Sequence, residues 1–282
     1  MRFNEKIVFA IRHNRYLGRA EWIWRFLRPL YDSLNAVTGR KGLERVINST
    51  DKLLIAPQWR MIGEVYEPEV WRSLMSQVRV GDVVADVGSY LGLYTLALAK
   101  RVGETGRVFA FEPNRGNYRA LKEHVILNDV AGNVSIVQAA VGERNGYADL
   151  KCNLDSSYID GAIKILPEEQ DSSVRCLTLD GFFEGAKLDL LKIDVEGYEE
   201  KVLEGAKCLL SDKDRSPRAI FIEVHPYAWP TVGTTSESLL DFLAQCGYDV
   251  RDLDRTRVLS IEHYGEVVAY KATDGFAENG KY

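Results

Sequence analysis

The chain is short of cysteine and histidine, with four of each among 282 residues. Cys152, Cys176, Cys208 and Cys246 stand far apart, with no Cys-x-x-Cys pair and no histidine clustered beside them. That pattern argues against a zinc site and a disulfide framework and makes reduced thiols in a cytoplasmic protein the expectation. No uncharged apolar run is long enough to span a bilayer. Near the start, Ile7-Val8-Phe9-Ala10-Ile11 is too short for a signal-peptide core, and no cleavage site follows. A net charge of −5 argues against a general nucleic-acid binder. The Gly-x-Gly-x-x-Gly fingerprint is missing too, which disfavours a dinucleotide-dependent oxidoreductase. There is no internal repeat and no low-complexity segment.

What is present is ordinary in bulk and uneven in distribution. Apolar residues make up 46% and charged ones 27%, and the length holds one large α/β domain plus an extension. Residues 1–45 carry ten Lys/Arg against four Asp/Glu, which leaves 26 against 37 for the rest. Within this basic stretch, Ile23, Leu27, Leu30 and Leu34 fall at helical spacing over residues 16–38. Trp22, Trp24, Phe26 and Tyr31 widen that face, and Pro29 kinks it. Arg12, Arg15, Arg19, Arg25 and Arg28 run alongside. Such a helix packs on its own domain or on a second subunit, making a homodimer, or it makes a peripheral contact with a membrane surface or an acidic partner. The expected division is an N-terminal helical extension over 1–60 and a main domain over 61–275.

The main domain alternates regularly. The pattern predicts strand 82–86, helix 92–101, strand 107–111, helix 115–128 and a third strand from Val134 to Val141. A polar, aperiodic stretch over 152–172 reads as a loop near the site. Strands at Leu188 to Ile193 and Ala219 to Ile222, a helix between them with Val202, Leu203, Ala206, Leu209 and Leu210 on its inner face, helix 236–245, and strands near Asp249 and Val267 to Tyr270 complete it. Short apolar β-branched strands alternating with helices describe a mostly parallel, Rossmann-like α/β sheet. Its carboxyl edge, where such sheets bind ligands, would gather Asp86, Glu112, Asp194, Glu196, Glu223 and His225.

The chemistry begins at Val83-Val84-Ala85-Asp86, followed by Gly88 and Gly92 and then Leu93, Leu96, Ala97 and Lys100 at helical spacing. Strand, glycine turn and helix bring bare backbone N–H groups to a ligand. A carboxylate at Asp86 would repel a pyrophosphate, so a cationic cofactor suits the turn better. Glu112 closes the next strand, 26 residues on, where an acid accepts hydrogen bonds from both ribose hydroxyls of an adenosine. Together these residues describe a site for S-adenosylmethionine. Methyl transfer to an alcohol also needs a proton removed, and His225 is the first candidate base. Asp194 and Glu196 could orient the acceptor, contact the cofactor's amino group, or bind a divalent metal with Glu223 or His225. No tight ligand spacing demands a metal, so none is assigned. Glu199 falls on a helical first turn, where the dipole stabilises a carboxylate without further role.

The chain resembles the FkbM family of S-adenosylmethionine-dependent methyltransferases over roughly residues 60 to 250. The resemblance rests on Asp86-Val87-Gly88 with Gly92 and Tyr94, on Phe111-Glu112-Pro113, on Asn128, and on Leu191-Lys192-Ile193-Asp194-Val195-Glu196-Gly197. Tyr66-Glu67-Pro68 and Glu223-Val224-His225-Pro226 match the opening and closing of the family's core. It implies a seven-stranded Rossmann-like domain that O-methylates a hydroxyl on a sugar, glycan or other secondary metabolite. Carboxyl or amine acceptors, on a small molecule or peptide, and a non-catalytic partner that keeps the fold are the alternatives. The cofactor residues implied are Tyr66, Glu67, Asp86, Gly88, Ser89, Tyr90, Gly92, Tyr94, Glu112, Pro113, Asn114, Ala140 and Asp194. His225, Asp194 and Glu196 are the catalytic set. The family often has Ala-Asn where this chain has Ser89-Tyr90.

Overall fold

The structure is a computed structural model that describes residues 42–149, 164–166 and 173–272. The basic helix expected over 16–38, the cysteine at 152 and most of the 152–172 stretch lie outside the described residues. Among those described, no helix is long and apolar enough to cross a membrane. Cys176, Cys208 and Cys246 are free thiols.

Two compact units divide the chain between Tyr66 and Glu67, with Ile126–Asn128 belonging to the first. In that unit β1 (Leu43–Ile47) and β2 (Asp51–Ile55) pair antiparallel. The turn places Asn48 and Ser49 at positive φ, a conformation asparagine tolerates. Ile47, Leu53 and Ile55 are fully buried. The Asn128 side chain donates to the Leu54 carbonyl at 2.8 Å and accepts from its N–H at 2.9 Å, standing in for a further strand.

The larger unit opens with α1 (Pro68–Gln77) and is built on a seven-stranded sheet. Its strands are β3 (Val83–Val87), β4 (Arg107–Phe111), β5 (Val134–Val137), β10 (Leu190–Ile193), β11 (Ala219–Val224), β12 (Tyr248–Arg251) and β13 (Gly265–Lys271). They lie side by side in the order β12-β13-β11-β10-β3-β4-β5. The five from β11 to β5 are parallel, and β13 runs against both its neighbours. Every residue of β10 and β11 is buried, as their continuous apolar runs require of strands covered on both faces. From β3 the chain works outward through α2 (Leu93–Val102) and α3 (Arg115–Leu127), then returns to lay β10 on the other side of β3. The reversal leaves a crevice at the carboxyl ends of β3 and β10, where ligands bind in such sheets.

Three boundaries differ from the sequence pattern. The first strand ends at Val87, so Asp86 lies inside it and not at its end. The third strand stops at Val137, because Ala139 N–H folds back onto the Val137 carbonyl at 3.0 Å and breaks the ladder. Residues 140–141 instead form β6 (Ala140–Val141) of a second sheet with β7 (Gly146–Asp149), β8 (Lys164–Leu166) and β9 (Ser173–Leu177), after which comes the short α4 (Leu179–Phe182). The helix after Gly197 is two short ones, α5 (Glu199–Glu204) and α6 (Lys207–Ser211). Gly205 lies between them, pressed so closely on the Gly142 carbonyl that a Cβ there would overlap it. Val202, Leu203, Ala206, Leu209 and Leu210 are buried as the periodicity demands, each larger aliphatic contributing about 1.5–3 kcal/mol.

Candidate active site

Asp86 sits beside Lys192 and Ala110 in the sheet register and is 1% exposed. Its Oδ2 accepts from the Thr95 hydroxyl at 2.5 Å, tying β3 to α2. Its Oδ1 is buried and has no hydrogen-bond partner among the described residues. Burial raises the Asp86 pKa, against the opposing charge of Lys192.

Beyond the strand, the N–H groups of Gly88 and Ser89 both donate to the Phe111 carbonyl at 3.0 Å. Gly88 has φ +84°, and a Cβ there would overlap the Asp194 carbonyl oxygen. Glycine is therefore required where the ends of β3 and β10 meet. A Cβ on Gly92, at φ +88°, would overlap the Leu121 side chain. Ser89 is buried, its hydroxyl on the Asp86 carbonyl at 2.7 Å. Between them Tyr90 is held at φ +50°, a left-handed conformation that asparagine adopts readily and tyrosine rarely.

Glu112, just past β4, is what holds Tyr90 there. Its Oε2 accepts from Tyr90 N–H at 2.8 Å and its Oε1 from Asn114 N–H at 2.7 Å. Burial lifts its pKa to about 7, although those backbone donors favour the ionised form. A carboxylate has about four acceptor positions, so capacity remains for ligand hydroxyls. Pro113 is buried behind it. The Asn114 side chain accepts from Gly116 N–H at 2.8 Å and Asn117 N–H at 3.2 Å, ordering the start of α3.

Tyr94 donates its hydroxyl to Glu67 at 2.7 Å, packs against Trp71, and lies 4.8 Å under the Lys192 ammonium. Ala140 pairs with Cys176 in the small sheet. Tyr66 belongs to the first unit, its backbone bonded on both sides by the Asn48 side chain.

The second half of the crevice follows β10 and β11. Asp194 N–H donates to the Val87 carbonyl at 2.9 Å, and its carboxylate meets Lys192 Nζ at 3.2 Å. Lys192 is 1% exposed. Burial would discharge it, but the charges of Asp194 and Asp86 outweigh that and raise its pKa. Glu196 is strained at φ +53° and accepts from the Tyr227 hydroxyl at 2.9 Å. His225 is 2% exposed, with Nδ1 2.7 Å from Glu199 and Nε2 3.5 Å from Glu196 and 3.9 Å from Glu223. Burial by itself would lower the His225 pKa; the Glu199 bond and the surrounding carboxylates turn the net shift upward. Glu223 is lifted to about 7, first by burial and then by Asp194.

Glu199 is the residue that sequence reasoning passed over. It is fully buried and takes three donors: Gly197 N–H at 2.7 Å, the Trp229 indole at 2.8 Å, and His225. Its position on a first turn is real but secondary to fixing the imidazole. Local sequence holds no signal for this, since the partners lie 26 and 30 residues away. Lys192, named above only within its motif, meets Asp86 through strand pairing, which local sequence does not show.

The crevice residues suit S-adenosylmethionine. Glu112 retains acceptor capacity for ribose hydroxyls, and Asp86, Asp194 and Glu67 set an acidic field around the glycine turn for a sulfonium and an ammonium group. Residues 86–250 match the family described as the methyltransferase FkbM domain, which is more than half of the chain. The hexuronic acid methyltransferase AglP of Haloferax volcanii is 25% identical over 170 residues, 59% of this chain and 66% of that protein. The tRNA (adenine(58)-N(1))-methyltransferase catalytic subunit trm61 of Schizosaccharomyces pombe is 27% identical over 139 residues, 46% of this chain and 37% of its own. The chain thus spans less than two thirds of either relative. The 31-O-demethyl-FK506 methyltransferase FkbM of Streptomyces tacrolimicus is 25% identical over 216 residues, covering 71% of this chain and 74% of that one.

Proposed function

The chain belongs to the FkbM methyltransferase family, and on that premise we propose that it transfers a methyl group from S-adenosylmethionine to a hydroxyl of a sugar, glycan or other secondary metabolite. The observation that carries the reading is one crevice with two halves. Glu112 and the Gly88–Gly92 turn form one half, and Asp194, Glu196 and His225 form the other.

The cofactor supplies an electrophilic methyl on a good neutral leaving group. Glu112 takes the ribose hydroxyls, and the turn's positive-φ glycines let the backbone approach the nucleoside. Asp194 lies at the seam of the two halves and faces the cationic end. An acceptor hydroxyl docks against Asp194, Glu196 and His225, which hold it in line and draw off its proton. Glu199 keeps the imidazole in one tautomer and one orientation by accepting from Nδ1. Alignment of the two reacting atoms supplies most of the acceleration in such a displacement. A sugar acceptor fits AglP, named for a hexuronic acid, and an oxygen acceptor fits FkbM, named for 31-O-demethyl-FK506. A net charge of −5 favours a small acceptor over RNA.

Calorimetry with S-adenosylmethionine and its demethylated product tests the premise. Both should bind, and Glu112→Ala should weaken both by about tenfold or more, the loss of a charged hydrogen-bond acceptor. Replacing His225 by Ala should cut turnover by about 10²-fold or more and leave the affinity for the product nucleoside intact. Failure of either nucleoside to bind would overturn the reading.

A further inference from the structure

We infer that Asp194, Glu196 and His225 form a divalent-cation site. Each offers one ligand atom, and the three atoms lie within 4.8 Å of one another. Ligands on opposite sides of an ion bound at about 2.2 Å stand about 4.4 Å apart, so a slight side-chain adjustment completes the coordination. The three residues follow adjacent parallel strands, and the ladder that pairs Ile193 with Ile222 fixes their spacing.

The independent observation is the state of His225. It is 2% exposed and its Nδ1 is committed to Glu199, itself fully buried. Its Nε2 therefore points at Glu196 and makes no hydrogen bond, the nearest oxygens being 3.5 and 3.9 Å away. A carboxylate that holds one imidazole nitrogen so that the other is free to ligate is the usual outer support of a metal-binding histidine. Carboxyl groups crowd the site. Glu223 and the pair of buried, unpartnered Glu266 oxygens adjoin the site, facing each other across β11 and β13. Lys192, whose close ion pair here is with Asp194, offsets part of the charge of Glu223 and Glu266. The two ligand carboxylates favour a hard cation and the imidazole a first-row transition metal, which together suit Mn²⁺.

Asp194 and Glu196 remain a quarter to a third exposed, at 24% and 29% of their side chains, so the ion's other positions are open. With the methyl-transfer reading as premise, those positions take the acceptor. The substrate class is then one with two neighbouring oxygens, a vicinal diol or a hydroxy acid, that can chelate. The ion lowers the pKa of the ligated hydroxyl, whose proton passes to water. In this arrangement His225 would be a ligand in place of the proton acceptor described above, and the oxygen activated by the ion would take the methyl.

The test is a titration of the full chain with Mn²⁺, following loss of the free-ion electron paramagnetic resonance signal, with S-adenosylhomocysteine affinity measured on the same samples. The wild type should bind a single equivalent. Glu196→Gln, at a partly exposed position that should not disturb folding, and His225→Ala should each weaken binding at least about tenfold. Glu199→Gln should weaken it by about 10–100-fold with the ligands themselves unchanged. Absence of saturable binding at millimolar Mn²⁺, or binding indifferent to Glu196→Gln and His225→Ala, overturns the inference. Nucleoside binding without Mn²⁺ binding sinks this site alone; Mn²⁺ binding without nucleoside binding sinks the methyl-transfer reading alone.

Discussion

Single residues in this protein are constrained mostly by backbone geometry. Gly88 is the clearest case, because its positive φ and its contact with the Asp194 carbonyl oxygen both forbid a side chain. Gly88→Ala should cost about 3 kcal/mol, overpacking and a disfavoured conformation acting together, measured as a lower urea midpoint at unchanged slope. Nucleoside affinity should fall with it, since the two halves of the crevice meet at this position. Tyr90 and Glu196 carry strain of the opposite kind, side chains kept in left-handed conformations by Glu112 and by the turn before Gly197. The glycines were legible from their spacing alone. The strain at Tyr90 was not, although a tyrosine where the family often has asparagine points to it once the φ is known.

Elements were legible wherever local pattern decides them. The helix α7 (Ser236–Gln245) has the expected bounds and carries its own start signal. Thr235 accepts from Ser238 N–H at 3.0 Å while the Ser238 hydroxyl accepts from Thr235 N–H at 2.9 Å, a reciprocal cap. Thr235→Ala should cost about 1 kcal/mol and lower the thermal midpoint. No crevice residue touches this cap, so kcat and nucleoside affinity should be unchanged. Pattern failed where a distant contact sets the boundary. The third strand ends early because residues 140–141 are drawn to Cys176 and Leu177, and one expected helix splits where Gly205 presses on Gly142.

At the scale of the molecule, the crevice stores unfavourable carboxylate burial. Glu112 and Glu223 both have pKa values raised from 4.5 to about 7. A group that binds its proton more tightly when folded contributes stability that is complete below pH 4.5. That contribution is lost as pH rises through about 7. The ligand-free protein should therefore be less resistant to urea at about pH 8 than at about pH 5.5, and Glu112→Gln should flatten part of that slope. Nucleoside binding should run the other way. Ribose hydroxyls donate best to an ionised Glu112, so affinity should rise with pH across the same window, which calorimetry in buffers of different ionisation enthalpy would detect as proton release.

The sequence by itself determined the α/β class, the run of strands and helices, the glycine turn and the set of acids destined for one sheet edge. Those features depend on hydrophobic period and backbone freedom, which act between residues near in the chain. Only the tertiary structure decided what each acid does there. Strand pairing sets Asp86 against Lys192 and Glu223 against Glu266, and brings Gly88 against Asp194. It also buries Glu199 behind His225, so that the imidazole faces Glu196 with one nitrogen free. Charge and hydrogen bonding act through space, and neither distance along the chain nor residue type reveals which groups will share a low-dielectric interior.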